Sequence, residues 1–180
     1  MTRWRTLLRY DWPLHFILYL TNWLPDNVIF LTIRGSLVRP FLGKCGKNLK
    51  LGRNLTFYNP SRIHIGNDVY IAYGCWLAGG GVISIEKEVL IGPYCVIVAG
   101  SHLRKDLSFR FGETRNEGIL IGAGSWISAH VTISGGSKIG VGCLVAANAA
   151  VSGTEFPPRM LCGGVPAKVI KPISDSDFNE

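Results

Sequence analysis

From Ile121 to Ser152 a branched aliphatic residue returns at every sixth position: Ile121, Ile127, Ile133, Ile139, Val145 and Val151. A small residue usually follows it (Gly122, Ser128, Ser134, Gly140, Ala146, Ser152), and Ser125, Val131, Ser137, Cys143 and Ala149 occupy a second slot four places after each aliphatic. A period of six is neither the 3.6 of an amphipathic helix nor the bare 2 of a half-buried strand. It predicts a mainly β fold, a parallel β-helix of hexapeptide repeats. Each repeat makes one short strand and one corner of a triangular coil, with the aliphatic side chain pointing inward onto its equivalent one coil away.

Upstream, the pattern starts loosely at Leu51 and settles at Ile65, Ile71 and Leu77. Ala78-Gly79-Gly80-Gly81 then inserts two extra residues before the phase resumes at Ile85, Ile91 and Ile97. A glycine run can cradle phosphate, but no Gly-Lys-Ser/Thr follows, and a widened coil corner is the expectation. The coil breaks after His102. Residues 103–118 are charged, aromatic and off the repeat, so they predict one extruded loop, the kind of segment on which function concentrates. The β-helix is expected over 44–172, followed by an acidic, flexible tail at 173–180.

Residues 1–43 are different material. Two apolar runs, Trp12–Leu24 and Val28–Ile33, are split by Pro25-Asp26-Asn27, and each is shorter than the roughly 20 residues that span a bilayer. Arginines precede the first run as in a signal peptide, but no small-residue cleavage site follows, and Asp11 and His15 interrupt it. Two readings stay open: helices that cap the coil, or helices in a membrane interface with Trp4, Trp12, Trp23 and the arginines at headgroup level.

Charge sharpens this division. Of the net +7, all lies in residues 1–53, where nine Lys and Arg face Asp11 and Asp26; residues 54–180 are balanced at ten against ten. That argues against a nucleic-acid groove spread over the fold and for a basic end that could meet anionic lipid. The five cysteines form no CxxC pair, and Cys75, Cys95 and Cys143 fall in the small-residue slot, so they read as buried filler in a reduced, cytoplasmic protein.

Four histidines are available, His15, His64, His102 and His130. His102 ends a coil strand and opens the loop, where an imidazole suits general-base work near neutral pH. His64 and His130 fall inside repeats and are expected to decorate a face. No two histidines have the spacing of a metal pair, and no metal is expected. No GxSxG or Ser-His-Asp arrangement stands out.

The repeats, the GSH at the start of the loop, the loop itself, IGAGSWIS and the closing GGVPAKVIK resemble the hexapeptide-repeat acyltransferases, over about residues 45–172. The chain is similar to the maltose/galactoside acetyltransferases and to the exopolysaccharide and lipopolysaccharide O-acetyltransferases. The resemblance implies a homotrimer of left-handed β-helices that moves an acetyl group from acetyl-CoA to a hydroxyl or amine in clefts between subunits. It implies His102 as catalytic base, Trp126 along the pantetheine channel, and a backbone N–H at Ser128 or Ala129 for the acyl oxygen. Ala147 and Ser152 would line the pantetheine arm. Gly164, Pro166, Ala167 and Lys168 match the closing segment near the adenine and phosphates. Tyr70 matches a tyrosine on the sugar side, and Asp106, Glu113 or Glu117 would orient His102 or bind the acceptor.

There are departures. Ala72 stands where sugar acetyltransferases carry an asparagine, Gly80 where they carry an acid, and Ser152-Gly153 where they carry threonine-lysine. These leave the chemistry intact and put the acceptor in question. The apolar residues 1–43 resemble the entry segments of the polysaccharide O-acetyltransferases. The expectation is therefore O-acetylation of a sugar hydroxyl in a surface-polysaccharide or lipid-linked precursor, by a cytoplasmic enzyme that touches the inner face of the membrane. The rivals are N-acetylation of a nucleotide sugar or another small acceptor, a metal-dependent hydratase of the carbonic-anhydrase type, and a non-enzymatic spacer.

Overall fold

The computed structural model describes residues 3–174; the rest of the predicted tail, from residue 175, lies outside them. Three parallel sheets wrap one another as the faces of a triangular prism. The first face stacks Lys44–Cys45, Ile63–Ile65, Ile83–Ile85, Ile119–Ile121, Lys138–Ile139 and Glu155–Phe156. The second runs from Lys50–Leu51 to Met160–Gly164, which turns back antiparallel into Ala167–Pro172. The third stacks Thr56–Tyr58, Trp76–Ala78, Val96–Val98, Thr132–Ser134 and Ala150–Val151.

Register follows the six-residue rule. Ile65, Ile85, Ile121 and Ile139 pair in column on the first face, Leu51, Ile71, Ile91, Ile127 and Val145 on the second, and Phe57, Leu77, Ile97, Ile133 and Val151 on the third. Every one of these residues is buried. The second slot is buried as well, and its serines are satisfied: Ser125 donates to the Gly140 carbonyl at 2.9 Å, and Ser137 to that of Ser134 at 2.7 Å. The small residue after the aliphatic answers to a tighter constraint than interior volume. A Cβ added at Gly122 would sit 2.6 Å from the Gly140 carbonyl carbon, so the next coil's backbone occupies that space. Cys75, Cys95, Cys143 and Cys162 carry free buried thiols, and burial pushes Cys162 up to about 11, which disqualifies it as a nucleophile.

The N-terminal segment is a helical hairpin. Helix α1 (Arg3–Thr6) runs through a π-turn (Leu7–Asp11) into α2 (Trp12–Thr21), and α3 (Val28–Val38) returns antiparallel. Pro13 has no N–H for the Arg9 carbonyl and its ring crowds that position, so the turn before it widens, with Trp12 N–H reaching back to the Leu7 carbonyl. Asn27 caps α3 by accepting the Phe30 N–H at 3.1 Å. The inner faces, Leu14, Leu18 and Val38, join the core at the first coil. Gly35 is required there: a Cβ would lie 1.8 Å from the Leu49 carbonyl oxygen. Beside it the fully buried Arg34 ties the hairpin to the coil, donating to the carbonyls of Leu51 (2.5 Å), Thr21 (3.1 Å) and Leu24 (3.2 Å) and pairing with Asp26 at 3.2 Å. No helix of the described residues is long and apolar enough to cross a membrane.

Candidate active site

The loop leaves the prism where the third face turns into the first, and its stem is a two-residue antiparallel ladder, Ser101 opposite Arg115 and His102 opposite Thr114. Alternation along a strand sends successive side chains to opposite sides. The stem therefore becomes a wall between two pockets. His102 and Thr114 face one of about 570 Å³, and Ser101 and Arg115 face another of about 390 Å³.

The His102 pocket is polar. The widened corner contributes Asn59, Ser61, Arg62 and Gly80, the third face Tyr58, and the returning strand Asn116. Arg62 is steadied by donating to the Gly80 carbonyl. The opposite wall is the N-terminal helix: Thr6, Leu7 and Asp11. The π-turn brings Asp11 here, 8% exposed, with Oδ2 buried and without a hydrogen-bond partner among the described residues. Burial raises its carboxyl above the usual range, while nearby His15 and the Asn59 backbone N–H pull it back down. His15 itself is anchored by donating from Nδ1 to the Asp11 carbonyl at 2.7 Å. Asp11 thus lines the pocket with one carboxyl oxygen buried and unpartnered, a group with spare capacity to accept a hydrogen bond.

The second pocket is lined by glycines and hydroxyls: Gly100, Gly135, Gly136 and Gly153, with Ser134 donating to Ser152 Oγ at 3.1 Å. Its ion pair is Arg115 with Glu117, at 2.6 Å. Its lining is otherwise free of large side chains, and Arg115, paired with Glu117, lies in the same pocket as Gly153.

The remaining sequence-predicted residues lie on other parts of the prism. Tyr70 and Trp126 are on the second face, in one ladder row separated by Leu90. Trp126, 46% exposed, borders a shallow hollow of about 190 Å³ with Gly124, Gly142 and Ile173. Ser128, Ala129 and Ala147 belong to the edge between the second and third faces. The Ser128 N–H is spent on the Val145 carbonyl at 3.0 Å, which leaves the Ala129 amide as the candidate for an acyl oxygen. Next to it His130 stacks on Tyr94, ring centroids 5.1 Å apart, in an edge column that continues to Tyr73. Gly164 (φ +98°), Pro166, Ala167 and Lys168 form the turn that closes the second face. In the loop, Glu113 lines a hollow with Leu103, Arg104, Lys105 and Phe111, and neither it nor Asp106 reaches the His102 pocket. Within one chain, then, His102 and Ser152 share the loop corner, and the others occupy the second face and its far edge.

Two departures gain an explanation. Ala72 is buried at the tight slot after Ile71. At Gly80 a Cβ would come within 2.5 Å of Asn116 Oδ1 and 2.8 Å of the Ala99 carbonyl oxygen, so no acid fits, and the carboxylate of this pocket comes from Asp11 instead. Asp11, Arg62 and Asn116 were not singled out from the sequence as site residues. The one available signal was an acid interrupting an apolar helical run.

No family model matches the chain. The galactoside O-acetyltransferase of Escherichia coli strain K12 is 31% identical over 149 residues, covering 80% of this chain and 70% of the relative. A galactoside acetyltransferase solved in complex with coenzyme A superposes with a TM-score of 0.82 at 27% identity, over 98% of this chain and 84% of that one. A hexapeptide-repeat acetyltransferase from Vibrio cholerae O1 biovar eltor, complexed with acetyl coenzyme A, gives 0.78 at 27% identity over 91% and 86%. The three-faced coil is the left-handed parallel β-helix of these acetyltransferases. By this sequence similarity, which spans most of both chains, the protein belongs to the hexapeptide-repeat acyltransferases.

Proposed function

We propose that the protein transfers the acetyl group of acetyl-CoA to a sugar hydroxyl in surface-polysaccharide synthesis, with His102 as general base. The observation that carries this reading is the loop stem: one two-residue wall holds an imidazole toward a polar pocket of sugar size and hydroxyls toward a second pocket. The acceptor hydroxyl enters the first pocket, oriented by Asp11 and Asn116. His102 takes its proton as the oxygen attacks the thioester carbonyl. The tetrahedral oxyanion needs a fixed N–H donor, for which the Ala129 amide is the candidate. As the C–S bond breaks, His102 returns the proton to the departing CoA thiolate, so the base is regenerated.

Ala129, Trp126 and the Gly164–Lys168 turn lie away from His102 in one chain. A closed three-fold assembly, in which the second face and its edge meet the loop corner of a neighbour, would complete the site. It would place Trp126, Ala147 and Ser152 along the pantetheine arm, and Lys168 near the CoA phosphates. The relatives named for galactoside acetylation support an oxygen acceptor on a sugar, and the Asp11 carboxylate offers an acceptor to any donor group of that ligand. A hydratase would need three grouped histidines. Within one chain no such group gathers among the described residues, so those histidines would have to meet at a subunit interface, which a zinc assay on the purified protein tests.

Acetyl-CoA binding and slow thioester hydrolysis, measured on wild type and His102→Ala without acceptor, test the assignment. Both proteins should bind CoA saturably, and turnover should fall by about 10²–10⁴ in the variant. Undiminished turnover in His102→Ala would remove the base, and no CoA binding by folded wild type would remove the transferase reading.

A further inference from the structure

The hairpin that walls the His102 pocket carries a second surface on its opposite side. Trp4, Leu8, Trp12, Phe16 and Leu20 recur every fourth residue and are each 49–67% exposed. On α3, Ile29, Ile33 and Leu37 repeat the spacing and are likewise exposed. A soluble helix normally turns such a stripe inward; here the inward stripe already exists (Leu14, Leu18, Val38), so both helices are apolar on two sides. Patches of contiguous exposed apolar side chains mark interaction sites.

Charge identifies the occupant. Residues 1–53 carry the whole net +7, and their only two acids are turned away from the stripe. Asp11 is buried in the pocket, and Asp26 is held by Arg34 at 3.2 Å and Arg53 at 3.6 Å. The exposed residues are mostly tryptophan, tyrosine, aliphatic side chains and cations, with His15, Asn22, Asn27 and Ser36 among them: Arg5 and Arg9 are exposed next in sequence to Trp4 and Leu8, and Lys44 and Lys47 where the hairpin meets the coil. Indole rings and arginines beside an apolar stripe match the headgroup layer of an anionic bilayer, and helices too short to span lie in its plane.

We propose that the α1–α3 hairpin docks the protein on an anionic membrane surface and that the acceptor sugar is carried by a lipid of that membrane. The first half stands on the hairpin alone; the second rests on the function proposed above. The same helix contributes Thr6, Leu7 and Asp11 to the pocket wall and Trp4, Leu8 and Trp12 to the outer stripe. A docked enzyme therefore holds its pocket at the bilayer, within reach of a saccharide tethered to it.

The test uses full-length protein and the double variant Phe16→Glu/Ile29→Glu, both changes on the outer stripe and clear of the pocket. Flotation is measured with phosphatidylcholine vesicles with and without phosphatidylglycerol, at low and high salt. Wild type should float with the anionic vesicles, less so as salt rises, with its tryptophan emission shifted to the blue. The variant should lose about a hundredfold or more in partitioning, keep its oligomeric size, and keep CoA binding and thioester turnover. Wild type that ignores anionic vesicles, or a variant that still floats, overturns docking. A variant that changes oligomeric size overturns it too, by assigning the stripe to a second copy of this chain. Docking that holds while CoA binding is absent in both proteins separates this inference from the transferase reading. If docking and CoA binding both hold, equal acetylation of free and vesicle-borne saccharide overturns only the lipid-linked acceptor.

Discussion

The β-helix and the helical hairpin place their large apolar side chains by different rules. In the β-helix the aliphatics point inward and pair with the same residue type one coil away, and a register slip would expose a whole column. The hairpin has the coil on one side only, and its largest side chains, Trp12, Phe16, Tyr19 and Trp23, face away from it. The repeat owes its cohesion to many equivalent contacts. The hairpin is held to it by a small inner face, the buried Arg34, and polar contacts at its rim, Asn22 with Asn54 and Asp26 with Arg53. Each region also supplies one wall of the His102 pocket, so chemistry belongs to the stacked region and acceptor contact is shared with the docked one.

Arg34→Met strikes the joint between the two. It takes the guanidinium donor from the carbonyls of Leu24 and Leu51 and leaves Asp26 with Arg53 alone, and breaking a buried pair by removing one partner costs about 3–5 kcal/mol. Chemical denaturation should show the hairpin released before the β-helix melts. CoA binding should survive while acceptor turnover falls. A single unshifted transition would mean that the apolar face and the Asn22–Asn54 and Asp26–Arg53 contacts hold hairpin and coil together without Arg34.

Ile127→Ala tests the stacked region. Its side chain is fully buried between Ile91 and Val145, and its loss should cost about 2–5 kcal/mol. Phe16→Ala removes a larger side chain from the hairpin's outer face and should change stability by no more than about 0.5 kcal/mol. Comparable losses in the two variants would erase the contrast on which the comparison rests.

The same contrast explains what could be read from the chain. Ile127 and Cys95 announce their places because every coil repeats the same demand at the same slot. His102 announces itself by ending that repetition. Asp11 does not, because its place depends on a π-turn forced by Pro13 and on the hairpin's docking through Arg34, and neither leaves a periodic trace. Asp106 and Glu113 are near His102 in sequence, yet within one chain neither lines the His102 pocket, and Glu113 borders a separate hollow of the loop. The separation of Trp126 from His102 within one chain was equally hidden, since six-residue spacing fixes the face of a residue and not which neighbour completes its site.

Asp11→Asn bears on how the two regions divide the work. Asp11 lines the pocket and has one oxygen without a hydrogen-bond partner, so replacing it should raise the acceptor KM by about tenfold, the worth of one charge-assisted hydrogen bond, and leave thioester turnover without acceptor unaltered. Stability should move the other way. A carboxyl whose value is raised by folding stabilises the native state below the ordinary aspartate range and loses that contribution as pH climbs through the raised value. Wild type therefore gives up stability between acid and neutral pH that the asparagine variant keeps. The difference in unfolding free energy should shift toward the variant across that interval. A variant equally impaired at every pH in both stability and acceptor KM would make Asp11 a structural residue of the hairpin, and the pocket would then owe its acceptor contacts to the β-helix alone.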